Sequence, residues 1–210
     1  MTEWYKLIVL LCQQNNMAGR TREFDEEKAL AQAAEVFWIK GYASASTEDL
    51  LAAMNINKGS MYNAFGNKRD LFIKVFEWFA ARFIQTVKDT FAKSGNASEA
   101  LCSIFYNVAH PSDPQAHLKG CFYVNILGEM SGLDEELKKI ATTKLVDVED
   151  VFCKELTKAK RNGELKTELS APWLAKYLVN LWNGLNISRR IYTEKELERL
   201  VDLNLKVVLG

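Results

Sequence analysis

From Asp25 onward, apolar residues recur at helical spacing. Leu30, Ala33, Ala34 and Phe37 fall at i, i+3, i+4 and i+7, which places them on one face of a helix. Asp25 is a favourable N-cap, and Glu26 and Glu27 follow in the first turn, where the helix dipole favours acids. Gly41 ends the stripe and suits a helix stop. Ser46 and Asp49 make a capping-box-like pair that opens a short helix ending near Met54. Asn55 falls in the next turn, where Asn tolerates the left-handed conformation. A second short helix is predicted over Lys58–Phe65; Gly66-Asn67 breaks it, and a long helix runs over Lys68–Lys93. Further helices are predicted at about 97–109, 117–130, 134–161, 171–190 and 194–208, with Gly163 closing the one that begins at Asp134. Thr193 and Glu196 form another capping box. No alternating strand pattern, internal repeat or low-complexity tract interrupts this order. The pattern predicts an all-α chain, divided within the helix after Asn67 and without a flexible linker.

Composition agrees. Of 210 residues 48% are hydrophobic, with 11 Phe, 7 Tyr and 5 Trp, while only 3 Pro and 11 Gly interrupt regular structure. Lys plus Arg and Asp plus Glu are both 27, so the net charge is zero. Any nucleic-acid footprint must therefore come from local placement of a few cations. Cys12, Cys102, Cys121 and Cys153 lie far apart with no C-x-x-C pair, the pattern of free thiols in a cytoplasmic protein. His110 and His117 flank a turn with Pro111 and Pro114 and lack a third nearby ligand, so no metal site is predicted. No Ser/His/Asp or Cys/His constellation, phosphate loop or well-placed carboxylate pair is found, which argues against an enzyme and calls for no cofactor.

The apolar run Leu7–Leu11 is too short to span a bilayer. Glu3 offsets Lys6, and Gln13-Gln14-Asn15-Asn16 follows the run, which does not read as a secretory signal. The expectation is that translation starts at Met17 and that residues 1–16 are an extension.

Ser46–Met54 and Lys58–Phe65, joined by a tight turn, match the helix-turn-helix layout. In that layout the second helix enters the major groove with its N-terminal residues facing the bases. Here those residues are Lys58, Gly59 and Ser60. Lysine donates to guanine acceptors, glycine permits close backbone approach, and serine pairs with any base. Tyr62 and Asn63 carry polar tips suited to phosphates or base edges, and Leu50, Met61 and Phe65 can form the small core that fixes the helix angle.

The stretch GYASASTEDLLAAMNINKGSMYNAFGNKRDLF from Gly41 to Phe72 resembles the DNA-binding signature of TetR-family regulators, and ALAQAAEVFWIKGY resembles their first helix. MAGRTREFDEEKAL resembles a common beginning of such proteins. The resemblance covers about residues 17–75 closely and the remainder more loosely. It implies an N-terminal three-helix helix-turn-helix DNA-binding domain over 17–67, joined to a larger helical ligand-binding and dimerisation domain over 68–210. It further implies base contacts from Lys58, Gly59 and Ser60. Phosphate contacts are implied for Ser46, Thr47, Tyr62 and Lys68, aided by the N-terminus of the helix that Lys68 opens. Arg20 and Arg22 are placed to reach the backbone or minor groove. Leu51 and Met54 are bulkier than the alanines usual at their positions, and Ala64 replaces a position often aromatic or histidine. The implied partners are a double-stranded DNA operator, a small-molecule effector and a second copy of the chain, with no membrane.

Residues 76–210 hold Trp78, Phe105, Tyr106, Phe122, Tyr123, Trp173 and Trp182, interleaved with Asn107, Asn125 and Asn183. Aromatics with a few convergent polar groups suit a small-molecule cavity; the same aromatics also suit a plain core. The resemblance favours a pocket, drawn from Phe105, Cys121, Tyr123, Asn125, Trp173, Trp182 and Asn183. Gly120-Cys121 followed by Asn125 resembles a Gly-Cys-…-Asn pattern of one TetR subgroup, some members of which sense electrophiles or oxidants through a cysteine. Lys119 beside Cys121 would lower its pKa; a buried inert thiol is the alternative. Leu174, Tyr177, Leu178, Leu181 and Leu185 form one stripe, and Leu197, Leu200, Val201, Leu205 and Val208 another. They are expected to build a two-fold four-helix dimer interface, unless they pack within one subunit.

Overall fold

The structure, a computed structural model, describes residues 24–110, 119–130 and 134–210. Among them every regular element is a helix: α1 Glu26–Ser44, α2 Thr47–Met54, α3 Lys58–Phe65, α4 Lys68–Lys93, α5 Ala97–Ala109, α6 Phe122–Met130, α7 Glu135–Arg161, α8 Ala171–Ser188 and α9 Glu194–Leu209. Arg20, Arg22, His117, Cys12 and the 1–16 extension lie outside the described residues.

The ends of the short helices are set by side-chain caps. Asp25 accepts from the Lys28 amide, and Ser46 and Asp49 close a full capping box on α2. Asn55 ends α2 in the left-handed conformation, with φ 54° and ψ 44°. Asn57 caps α3 through Ser60, and Asn67 with Asp70 boxes the start of α4. Each cap satisfies amides that have no partner inside the helix.

Two apolar clusters organise the chain. One gathers Ala33 and Phe37 of α1, Leu50 of α2, Met61 and Phe65 of α3 and Leu71, Phe72, Val75 and Phe76 of α4, and it continues into Cys121, Phe122, Tyr123 and Ile126 at the start of α6. The other packs the far half of α4 with α5, α7, α8 and α9 around Leu101, Phe105, Phe152, Leu178 and Val201. The N-terminal helix-turn-helix unit thus rests on the larger helical part through α4 and α6.

Two expectations are corrected. The helix predicted over 117–130 begins only at Phe122: Gly120 has φ +70°, which stops any helix arriving from its N-terminal side. The stripes assigned to a dimer interface are buried within the chain. Leu174, Leu178, Leu197, Val201 and Val208 are fully buried, and Leu181, Leu185 and Leu205 nearly so. Helix α8 lies along α7 and α9 against α5, so these leucines meet neighbours of their own subunit.

Candidate nucleic-acid interface and internal cavity

Helix α3 is two-faced. Met61 and Phe65 are buried against α4 and α1, while Lys58, Gly59, Tyr62 and Asn63 are exposed and Ser60 is half-buried. The exposed set runs along the outward face of the helix from its first residue, beyond the left-handed turn at Asn55. Lys58 Nζ lies 6.0 Å from the Tyr62 ring centroid, a separation that leaves the ammonium open to a phosphate or a base edge. The phenyl ring of Phe65 is supported from the other side by Phe24, at 5.8 Å between centroids. Leu50 and Met54 of α2 are buried beneath the same unit, so the two helices share one base, as the sequence reading of Leu50, Met61 and Phe65 expected.

The residues expected to hold phosphates occupy the rim of this unit, and some already have partners. Ser46 Oγ accepts from the Asp49 amide at 3.0 Å, and the Asp49 carboxylate accepts from the Ser46 amide at 3.0 Å. Thr47 opens α2 beside it. Lys40 Nζ pairs with Asp49 at 2.6 Å; with the Ser46 hydrogen bonds this holds the Asp49 carboxyl down at about 2. Lys68 Nζ sits 4.8 Å over the Tyr42 ring and donates to the Ala43 carbonyl at 3.4 Å. The N-terminus of α4 is not an open anion site: Asn67 Oδ1 accepts from the Arg69 and Asp70 amides at 2.8 and 3.1 Å. Asn57, the cap that orients the first turn of α3, was missed by sequence reading; an Asn immediately before a lysine-led helix was the available signal.

In the larger part, Cys121, Tyr123, Trp182 and Asn183 line one internal cavity together with Phe79, Phe83, Leu145, Val148, Phe152 and Val179. Its free volume is about 20 Å³, room for about one water molecule. A larger ligand must open the packing. Tyr123 donates to the Ala141 carbonyl at 3.5 Å, and burial pushes its phenol far above the ordinary range. Phe105 is fully buried one layer behind, its ring 6.2 Å from that of Trp182.

Three further expectations change here, besides that for Phe105, which lies behind the cavity wall. Trp173 is 68% exposed in the first turn of α8 and does not reach the cavity. Asn125 points to the polar side of α6, where its amide donates to the Lys119 carbonyl at 2.8 Å and its oxygen accepts from Arg190 at 2.5 Å. Lys119 does not activate Cys121, because its ammonium pairs with Glu35 of α1. Burial pushes the Cys121 thiol up; the Val124 amide, the Trp182 indole, the Tyr123 amide and the charge of Arg189 act against that rise without reversing it.

Similarity to known proteins assigns the architecture. A sequence model described as bacterial regulatory proteins, tetR family, matches residues 29–75, and one described as tetracyclin repressor-like, C-terminal domain, matches residues 98–202. The chain belongs to the TetR family. Among TetR-family relatives, the HTH-type transcriptional regulator YezE of Bacillus subtilis is 31% identical over 90% of this chain and 99% of its own length. The HTH-type transcriptional repressor ComR of Escherichia coli is 26% identical over 82% of each chain. Of solved TetR-fold structures, reduced NemR of E. coli aligns with a TM-score of 0.78 at 19% identity, covering 87% of this chain and 95% of that one. A cysteine mutant of the regulator CifR, complexed with 26-base-pair double-strand operator DNA, aligns with a TM-score of 0.75 at 23% identity over 90% of this chain and 100% of that one. The α2–α3 unit is thus the TetR-family helix-turn-helix, and the larger helical part C-terminal to it is its partner.

Elsewhere, His110 stacks on Tyr106 and meets Glu198 at 2.7 Å. Among the described residues no group of His, Cys, Asp or Glu is arranged to hold a metal ion. No described helix is long and apolar enough to cross a membrane.

Proposed function

We propose that this chain is a sequence-specific DNA-binding repressor of transcription, released from its operator by a small-molecule effector or by thiol modification. The observation that carries the reading is the exposed outward face of α3, with Lys58, Gly59, Tyr62 and Asn63 presented on a buried apolar base. Lys58, Gly59 and Ser60 read bases; Ser46, Thr47, Tyr62 and Lys68 position the phosphates; Arg20 and Arg22, which precede α1 in the sequence, serve the backbone or the minor groove. The protein works in the cytoplasm, where the operator is.

The division between the DNA-binding and sensing parts falls within α4, whose first half packs with α1–α3 and whose second half packs with α5 and α7. The effector enters between α4, α6, α7 and α8, where Cys121, Tyr123, Trp182 and Asn183 meet. Those aromatic walls suit an apolar or aromatic compound. Thiol modification is the second route, favoured by the position of Cys121 in the cavity wall itself: an adduct on its sulfur overfills a space of about 20 Å³ and pushes the surrounding helices apart.

The active species is a homodimer, built on the outward faces of α8 and α9. Trp173, Ile187 and Ile191 on or just beyond α8 and Leu203 and Val207 on α9 are large apolar residues left exposed in the single chain. A two-fold pairing of these faces gives a four-helix contact and sets two α3 helices about one DNA turn apart. Effector binding shifts the population towards a spacing that no longer matches the operator.

Fluorescence anisotropy with the duplex immediately upstream of the gene, at fixed salt and against a scrambled duplex, tests the reading. Tight binding that prefers the upstream sequence is expected. Equal weak binding to both duplexes speaks for a helical module that does not read DNA.

A further inference from the structure

Helix α6 is joined to α1 at both of its ends. At its start, the Lys119 carbonyl accepts from Trp38 Nε1 of α1 at 3.3 Å and from the Asn125 amide at 2.8 Å. At its far end, the Glu129 carboxylate accepts from the backbone amides of Tyr42 and Ala43 at 2.9 Å each, one on each oxygen. Those amides follow the break in α1 at Gly41, which has φ 76° and ψ 169°. They open a new turn, and the first amides of a helical turn have no partner within it. Glu129 supplies one from 86 and 87 residues away.

Gly41 is required at this point by its backbone conformation, and its lack of a Cβ leaves room for the Glu129 carboxylate. Its positive φ disfavours any side chain, and a Cβ there would lie 2.8 Å from Glu129 Oε2. The segment it opens, Tyr42–Ala45, is the connection into the helix-turn-helix. Its amides are held by Glu129 and its Ala43 carbonyl by Lys68, and it leads directly to the Ser46 cap of α2. The other end of the unit is held from the same side: Arg69, in the first turn of α4, donates Nε and Nη2 to Asp134 at 3.1 and 3.3 Å and Nη2 to Glu136 at 2.8 Å. Carboxylates around the α6–α7 junction therefore grip the chain just before α2 and just after α3. One of the two grips sits on the helix that begins beside Cys121.

We propose that Glu129 is the positioning residue that couples the sensing part to the DNA-binding unit. Its carboxylate fixes the Gly41–Ala45 connection, and thereby the setting of α2 and α3, while Arg69 pairs with Asp134 at a second point. A displacement of α6 at the cavity moves Glu129 relative to Tyr42 and Ala43, and the recognition helix loses its setting without unfolding. This rests on the regulator reading above.

The test uses the full-length protein with Glu129→Ala, Glu129→Gln and the control Asp134→Asn, with hydrogen exchange and DNA binding read separately. Without DNA, Glu129→Ala is expected to speed amide exchange at Tyr42 and Ala43 and across residues 46–65, leaving α1 before Gly41 and helices α7–α9 protected as in the wild type. Unchanged exchange over 46–65 overturns the proposal whatever the protein does with DNA. With operator DNA, loss of two charge-assisted hydrogen bonds is expected to weaken specific binding roughly tenfold or more. Scrambled-duplex affinity should change far less, and Glu129→Gln, which keeps one acceptor oxygen, should fall between. Equal loss on both duplexes, in step with a fall in thermal stability, overturns positioning in favour of a simple structural cap. The expected exchange contrast between Glu129→Ala and the wild type, found together with a wild-type protein that prefers no duplex sequence, refutes the regulator reading while leaving the Glu129 linkage intact as a structural coupling.

Discussion

On the proposed reading, Lys58 is the side chain on which base reading most depends, since it stands exposed at the first position of α3. Lys58→Ala is expected to cost about 1–3 kcal/mol of discrimination against the wrong base, measured as operator minus scrambled binding at one salt concentration. Asp49 offers a check on the local electrostatics. Its folded pKa of about 2 lies below the ordinary carboxylate value. The stability it contributes is therefore present above about pH 3.9 and is lost as pH falls through the folded value. A carboxyl NMR titration of Asp49 should show this depressed midpoint, and Lys40→Ala should move it upward. Cys121 behaves in the opposite sense. Because burial raises its pKa, it holds little thiolate at neutral pH. Iodoacetamide should label it more slowly than a solvent-exposed thiol, at a rate that climbs with pH; mass spectrometry of the labelled peptide measures this. Fast labelling at pH 7 would mean that the amides and the indole outweigh the burial.

At the scale of the element, the DNA-binding helices are too short to stand alone. Helices of 8 residues such as α2 and α3 lie well below the length at which isolated helices persist in water. Caps and packing stabilise them instead. Asn57→Ala removes the acceptor for the Ser60 amide and should cost about 1 kcal/mol, read as a lower melting temperature together with weaker operator binding. The caps at Asp25, Ser46 and Thr193 are local in sequence, as are the glycine at 163 and the asparagine at 55, and the pattern placed them correctly. The start of α6 was misplaced for a non-local reason. Gly120 takes a positive φ beside the guanidinium of Arg190, which reaches the Lys119 carbonyl from 71 residues away. No window of neighbouring residues carries that information.

For the whole molecule, the two faces of α8 and α9 are expected to have different work. Their leucine stripes close the subunit core, so Leu178→Ala should cost about 2–5 kcal/mol of stability. The outward residues should matter chiefly to assembly. Ile187→Glu combined with Leu203→Glu is expected to leave secondary structure and monomer stability near wild type while shifting sedimentation from dimer to monomer. A wild-type chain that sediments as a monomer at micromolar concentration would remove the dimer from the mechanism. The pairing of these predictions matters, because an apolar stripe at helical spacing says that a face is buried and does not say by what.

That distinction separates what the residues alone determined from what the packed chain decided. Helical periodicity, capping boxes and turn residues depend on neighbours a few positions apart, so the order of helices, the helix-turn-helix and the exposed start of α3 could be read from the sequence. The union of Cys121, Tyr123, Trp182 and Asn183 around one cavity was foreseen, but the exclusion of Trp173, Asn125 and Phe105 from its wall was not. Which aromatic faces inward depends on how α8 rotates against α7, and that is set by the sum of many contacts. Charge partners were the least readable of all. Lys119 was assigned to its sequence neighbour Cys121 and pairs instead with Glu35, and Glu129, unremarkable in the sequence, meets Tyr42 and Ala43. A long or flexible charged side chain bonds to whatever the fold brings within reach, so only the tertiary structure decides its partner.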